Sequence, residues 1–442
     1  MRDEARRAVR RVKSRRTVLG FLTILLVLVL AAAGCGAAAT ATPAPGEPTT
    51  APQPTATTPP SEPDTPETTI RPLSEWTPEN PATLEEIEAE LETRRGESFT
   101  FISEGGAFQA AVRRAWLDPL REKFGLGIVE ESPGPGVARV RTQAETGNIA
   151  WDIIDLGTDQ VAALLKTDSL GEYDPTIVDA RDLLDIVRAP GPYIAGGGIT
   201  WSTVLAYDTD VYPGDTGPKT WADFFDLENF PGRRSLRNEV SYGGQIQIQR
   251  LARNPELLDT PEGKREVATP SREQMEEDFA WFAEWTKNAG NSVIYWDTGS
   301  QCPEFLISGE VDMCSAWNGR IFDAQQTGAP LGICWECGFM TGTGGWTVAK
   351  GLKEQDPAKY ELVNLAIAWA TFPENNVRIA QFITYGPINK KSFAFMDAPE
   401  YDEVRDELPT SGANIPYSIL WDEVWLGDNL DWANEQYLLA TQ

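Results

Sequence analysis

The chain has 442 residues, with 66 acidic against 38 basic side chains, a formal charge of −28, and no histidine. The missing imidazole excludes Ser-His-Asp and Cys-His catalysis and removes the commonest transition-metal ligand. The negative charge argues against a nucleic-acid partner, and no motif implies a cofactor or a metal.

Residues 1–35 read as a lipoprotein signal peptide. Arg2, Arg6, Arg7, Arg10, Arg11, Lys13, Arg15 and Arg16 precede an uncharged apolar run from Val18 to Ala33. The run is shorter than the roughly 20 residues that a spanning helix prefers. Ala33-Gly34-Cys35 resembles the bacterial lipobox, with Ala32 where that pattern usually has Leu. The resemblance implies lipidation of Cys35 and a membrane tether on the outer face of the cell. Ser14–Leu19 also resembles a twin-arginine signal, so both export routes stay open. The leader holds eight basic and two acidic residues, which leaves −34 on the rest of the chain.

Residues 36–75 form a Pro/Thr-rich linker. Nine prolines and no aromatic residue stand between Gly36 and Thr69, a composition that cannot bury a core. Such a tract acts as a semi-extended spacer with a reach on the order of 100 Å.

Beyond the linker the chain is long enough for two globular domains. Ser98–Ile102 reads as a strand, Gly105-Gly106 as a turn, and Phe108, Val112, Ala115, Trp116, Leu120 and Phe124 recur at helical spacing. Leu126–Val129 is expected as a strand, Val137–Glu145 as a helix, and Trp151–Asp155 as a strand leading to a helix after Thr158. This alternation predicts a parallel sheet. From Gly196 through Tyr207 the pattern suits a crossing between domains. A short helix at Thr220–Phe225, a strand near Ser235 and an amphipathic helix through Met275, Phe279, Phe282 and Trp285 follow, the last with a capping box from Ser271 and Gln274. Strand Val311–Trp317 and helix Arg320–Gln326 complete a second α/β unit, Gly342–Gly345 reads as a close-approach turn, and Trp346–Ala349 is the return crossing. Asp356-Pro357 opens a helix through Leu362, Leu365, Ala366 and Trp369 that is expected to pack on the first domain. Trp221, Trp281, Trp285 and Trp369 lie on helical faces and are expected in the core.

After Cys35 four cysteines remain: Cys302, Cys314, Cys334 and Cys337. An exported chain with an even number suggests two disulfides, with three possible pairings. A redox Cys334-x-x-Cys337 pair and a four-thiolate metal site are the alternatives. The strand-like Pro330–Trp335 segment does not suit the helix start that a redox motif needs.

Three stretches then fall in order: Thr220–Asp226 with Phe230–Arg234, Gly309–Arg320, and Tyr385–Lys391. Together they resemble extracellular solute-binding proteins of the spermidine/putrescine-binding type, over roughly residues 98–430. The resemblance implies an α/β, two-domain periplasmic-binding-protein clamshell of the class II type with two hinge crossings. It divides the chain into a discontinuous lobe 1, residues 96–205 and 346–442, and a lobe 2, residues 206–345. It also implies a monomer that binds a polyamine-like small molecule between its lobes and passes it to the permease subunits of an ABC importer.

In that family flat rings stack on methylene chains and attract ammonium groups, and carboxylates pair with the ends. The resemblance carries this role to Trp317 and Glu239, with Tyr242 where a second acid is usual. Glu104 and Phe108 stand in the loop after the first strand, Thr158 and Asp159 in the next loop, and Trp201 and Ser202 at the first crossing. Asp297 and Gln301 sit in a loop that faces the cleft in the family. The acid expected before the return crossing is absent, and Gly344 lies in the segment that replaces it; Glu104, Asp159, Asp297 or Asp312 could substitute. A Trp-rich cleft would equally stack on a sugar or a thiamine-like heterocycle. An exported glycosidase with two carboxylates needs no histidine, but no motif singles out such a pair.

Overall fold

The structure, a computed structural model, describes residues 70–134, 136–240 and 244–442. The leader, Cys35 and most of the linker lie outside these residues, as does Tyr242. Twelve strands are present among the described residues. They are β1 Ser98–Ile102, β2 Gly127–Glu131, β3 Ile153–Gly157 and β4 Leu170–Gly171. The long β5 Ala195–Asp208 follows, then β6 Arg234–Arg237, β7 Val293–Trp296 and β8 Met313–Trp317. The last four are β9 Leu331–Cys334, β10 Phe339–Ala349, β11 Gly386–Pro387 and β12 Ser418–Leu420.

The main sheet runs β2-β1-β3-β10-β5-β8-β6-β7. Its outer parts are parallel, β2-β1-β3 on one side and β8-β6-β7 on the other, as the strand-helix alternation predicts. β10 and β5 lie between them, antiparallel to each other and to both parts. This is the expected α/β clamshell with two crossing strands. The first crossing has almost its expected bounds, Ala195–Asp208, whereas the return crossing is longer than expected and starts at Phe339.

Gly342–Gly345, expected as a turn, lies inside β10 instead. Its glycines serve closeness rather than curvature. A Cβ at Gly344 would stand 2.5 Å from the Leu156 carbonyl oxygen, and one at Gly342 would stand 2.3 Å from the Trp421 ring and 2.8 Å from that of Trp201. Glycine in a strand interior is the residue for such approaches.

The helices follow their signals closely. Ser271 and Gln274 form the reciprocal capping box of Arg272–Ala289, and Asp356 caps Pro357–Thr371 with Pro357 in the first turn. Trp221 and Trp369 are fully buried, while Trp281 and Trp285 pack partly buried against the core. Helix Leu84–Thr93, absent from the sequence reading, carries its own capping box from Thr83 and Glu86. It packs against Pro357–Thr371, where Trp369 Nε1 donates to Glu88 Oε1 at 3.1 Å. The final helix, Glu423–Ala440, lies against Thr158–Leu165 and also against Arg272–Ala289, so it touches both sides of the sheet. The cysteines are paired Cys302–Cys314 and Cys334–Cys337. Among the described residues no helix is long and apolar enough to cross a membrane.

Candidate ligand-binding site

The carboxyl ends of the parallel strands converge on one cleft. β1 leads to Glu104, β3 to Gly157, β6 ends at Arg237 and β8 at Trp317. In open α/β sheets ligands bind beyond the carboxyl ends of strands, where backbone N–H groups and loop side chains are available. Here the cleft encloses about 410 Å³ of empty space, its open mouth included.

The first wall forms where β1 stops. Gly105 and Gly106 adopt positive φ (74° and 60°), which turns the chain sharply and brings Glu104 and Phe108 to the cleft. Opposite, Trp317 ends β8, and the helix Asn318–Gln326 that begins there presents Arg320 one turn later. Asp155, Leu156 and Gly157 of β3, Ile199 and Trp201 of β5, Gly344 of β10 and Tyr385 close the cavity. The aromatic groups meet edge to face: Phe108 with Tyr385 at 5.7 Å, Trp296 with Trp317 at 5.3 Å and Trp201 with Trp421 at 6.0 Å. These contacts fix the rings as rigid walls.

Arg320 is buried; its Nη2 donates to the Gly105 carbonyl at 2.9 Å, and its guanidinium lies 5.9 Å from the ring centres of both Phe108 and Trp317. Its Nε and Nη1 are buried without a hydrogen-bonded acceptor of good geometry. Arg237, also buried, lies over Trp317 at 4.9 Å and Trp296 at 5.2 Å and is ion-paired with Glu239. Both arginines act on Glu104. Burial pushes the Glu104 carboxyl above its ordinary range, Arg237 and Arg320 pull it back, and Glu239 adds to the rise. Asp155 is held well above the usual carboxylate range by burial and by the neighbouring Glu104. Tyr385 is raised to about 12, chiefly by burial. The cleft therefore offers guanidinium donors, a carboxyl pair and aromatic faces within one small volume.

Of the residues singled out from sequence, Glu104, Phe108, Trp201, Trp317 and Gly344 line this cavity together. The Thr158 hydroxyl lies 3.0 Å from the Thr343 carbonyl, to which it donates, and Ser202 is fully buried with its hydroxyl 3.0 Å from that of Thr341. Gln301 closes its own loop by accepting from the backbone N–H groups of Asp297 and Thr298 at 2.7 and 2.8 Å. Asp297 accepts from Asn238 Nδ2 at 3.1 Å on the surface side of that loop. Glu239 is half exposed and tied to Arg237. Arg237, Arg320, Asp155 and Tyr385 were not singled out. Arg320 and Tyr385 lay within motifs already noted, whereas Arg237 carries no local signal and is brought near Glu104 only through the pairing of β6.

Asp159, in the first turn of Thr158–Leu165, is buried with no side-chain partner on either carboxylate oxygen. Burial raises it from 3.8 to about 6, and Glu239 adds to the rise, while the Gln160 N–H and Arg237 oppose it. A carboxyl raised on folding lowers stability once the pH exceeds its unfolded value, and the full penalty is present above its folded one. The penalty at pH 7 is on the order of 3 kcal/mol. Asp159→Asn is therefore expected to unfold at a higher temperature than the parent at pH 7, with the difference shrinking toward pH 4. Calorimetric melts at the two pH values check this, and an equal offset at both would refute it.

Comparison with known proteins gives the family of the chain. A gamma-aminobutyric acid-binding protein of Pseudomonas aeruginosa is 29% identical over 342 residues, spanning 76% of this chain and 90% of that protein. A spermidine/putrescine-binding periplasmic protein of Haemophilus influenzae is 24% identical over 225 residues, 49% of this chain and 57% of that protein. Among solved structures, MotA from A. tumefaciens B6 in complex with glucopine superposes with a TM-score of 0.67 at 26% identity, covering 78% of this chain and all of that one. The sequence model of the bacterial extracellular solute-binding proteins matches residues 115–405, and the chain belongs to that family, an extracytoplasmic solute-binding component of an ABC transporter.

Proposed function

We propose that this receptor captures a small zwitterion, an ω-amino acid or amino-acid conjugate that carries both a carboxylate and an ammonium group. The observation that carries this reading is a buried arginine, Arg320, lining the cavity beside Glu104, with a second, Arg237, buried close enough to act on the same carboxyl. Planar guanidinium groups suit a carboxylate through paired N–H donors, and a linear polyamine has no group for them. Glu104 with Asp155 would take the ammonium end, and Trp317 and Phe108 would cover the methylenes between. The relatives named for gamma-aminobutyric acid and glucopine support this class. A diamine is the second reading, favoured by the three acids Glu104, Asp155 and Asp159 around the cleft and by the polyamine-named relative.

The lobes would divide at residues 96–205 with 346–442 and at 206–345, closing on the ligand so that the permease subunits recognise the closed form. Cys35 would hold the lipid, with residues 36–75 as the spacer that keeps the receptor close to its importer. Calorimetric titration of the chain from residue 36 with 4-aminobutyrate, putrescine, glucose and thiamine tests the ligand class. Binding of 4-aminobutyrate without putrescine is the expected result. Binding of putrescine alone would sink it.

A further inference from the structure

We infer that the last helix, Glu423–Ala440, is a strap that sets Arg237 and Glu239 for the ligand, with Tyr437 and Asn434 as positioning residues; this rests on the zwitterion reading above. The segment Arg237–Val240, the last residue of β6 and the turn after it, carries both charged groups, and each end of it is held from the same distant helix. Tyr437 donates its hydroxyl to the Arg237 carbonyl at 2.8 Å across 200 residues of sequence. Asn434 Oδ1 accepts from the Val240 N–H at 2.9 Å across 194 residues. Tyr437 is itself immobilised, fully buried and stacked on Phe282 with ring centres 5.3 Å apart.

The other end of the same helix grips the opposite side of the cleft. Lys166 Nζ donates to the Gly427 carbonyl at 2.5 Å and pairs with Asp428 at 2.8 Å. Gly427 allows the approach, since a Cβ there would stand 2.9 Å from that of Ala162. Ala162 and Lys166 belong to the helix that begins at Thr158-Asp159 and to its cap. Near its end, the strap accepts from the Thr286 hydroxyl through the Ala440 carbonyl at 2.7 Å. One rigid element therefore joins the support of Asp159 to the support of Arg237. A charged group acts on a ligand only if its supporting shell holds it within tenths of an ångström, and backbone hydrogen bonds at both ends of a four-residue turn supply that.

The experiment compares Tyr437→Phe, which keeps the stacked ring, with Asn434→Ala and Asn434→Asp. Titration with 4-aminobutyrate is expected to show roughly three- to tenfold weaker binding for Y437F and N434A. N434D keeps an acceptor for the Val240 N–H and should bind as the parent does. Crystals of ligand-free Y437F/N434A should show the Arg237 guanidinium displaced from Trp317. Parental affinity in Y437F and N434A, or a loss in N434D equal to that in N434A, overturns the strap. Should the parent itself fail to bind 4-aminobutyrate, the zwitterion reading falls, and the ligand-free crystal decides the strap separately: an unmoved Arg237 refutes it.

Discussion

Arg320→Met is expected to weaken binding of 4-aminobutyrate by about 100-fold or more while the protein still folds. Removing one partner of a buried, hydrogen-bonded charge pair in an interface typically costs 2–5 kcal/mol, of which about 2.7 corresponds to that factor. Arg320 fits the case. It is buried against Phe108 and Trp317, with Nη2 on the Gly105 carbonyl and with Nε and Nη1 making no hydrogen bond of good geometry. Met fills much of the same volume with a flexible apolar chain, so the walls keep their support. Stability should change little, because the desolvation penalty of a buried guanidinium goes with it and offsets the lost hydrogen bond. Isothermal titration gives the affinity, and a thermal melt separates the effect from unfolding. Undiminished binding would remove the carboxylate from the proposed ligand.

Gly342→Ala is expected to destabilise the fold by about 3 kcal/mol, an unusual loss for one added methyl group. The new Cβ would overlap the rings of Trp421 and Trp201, both buried and in edge contact with one another. Neither indole is the loose end of a flexible chain, so strain spreads into β5 and β10. Trp201 also lines the ligand cavity, and the same substitution should weaken ligand capture. Urea unfolding monitored by circular dichroism measures the first effect and titration the second. A variant of parental stability would mean that the indoles can part at no cost and that the glycines of β10 serve some other purpose.

These two positions also mark how far the sequence could be read. Periodicity placed β1, β2 and the helices that follow them close to their observed bounds and found the amphipathic face of Arg272–Ala289, because each pattern is set by neighbours two to four residues away. Capping residues did the same for the ends at Ser271 and Asp356. The glycines of β10 were misread as a turn because glycine signals a tight approach equally well in a bend and in a strand. Only the partner strand, with the Leu156 carbonyl opposite Gly344, distinguishes the two.

Within the site, the aromatic and acidic residues Trp317, Trp201, Phe108 and Glu104 were visible from motif context. The arginines were not. A charged residue in a sequence defaults to solvated surface, and nothing local says that Arg237 will be buried beneath two indoles. Its burial follows from β6 pairing with β7 and β8, whose residues lie tens of positions away. The sequence by itself determined an α/β fold without histidine chemistry, since local periodicity and composition carry that information, and the receptor reading came from the resemblance of its motifs. Tertiary structure alone decided the cysteine pairing and the meeting of two arginines with Glu104. It also decided the span of the last helix across both sides of the cleft. Each of these depends on contacts between segments distant in the chain, which strand pairing and packing create and no local pattern encodes.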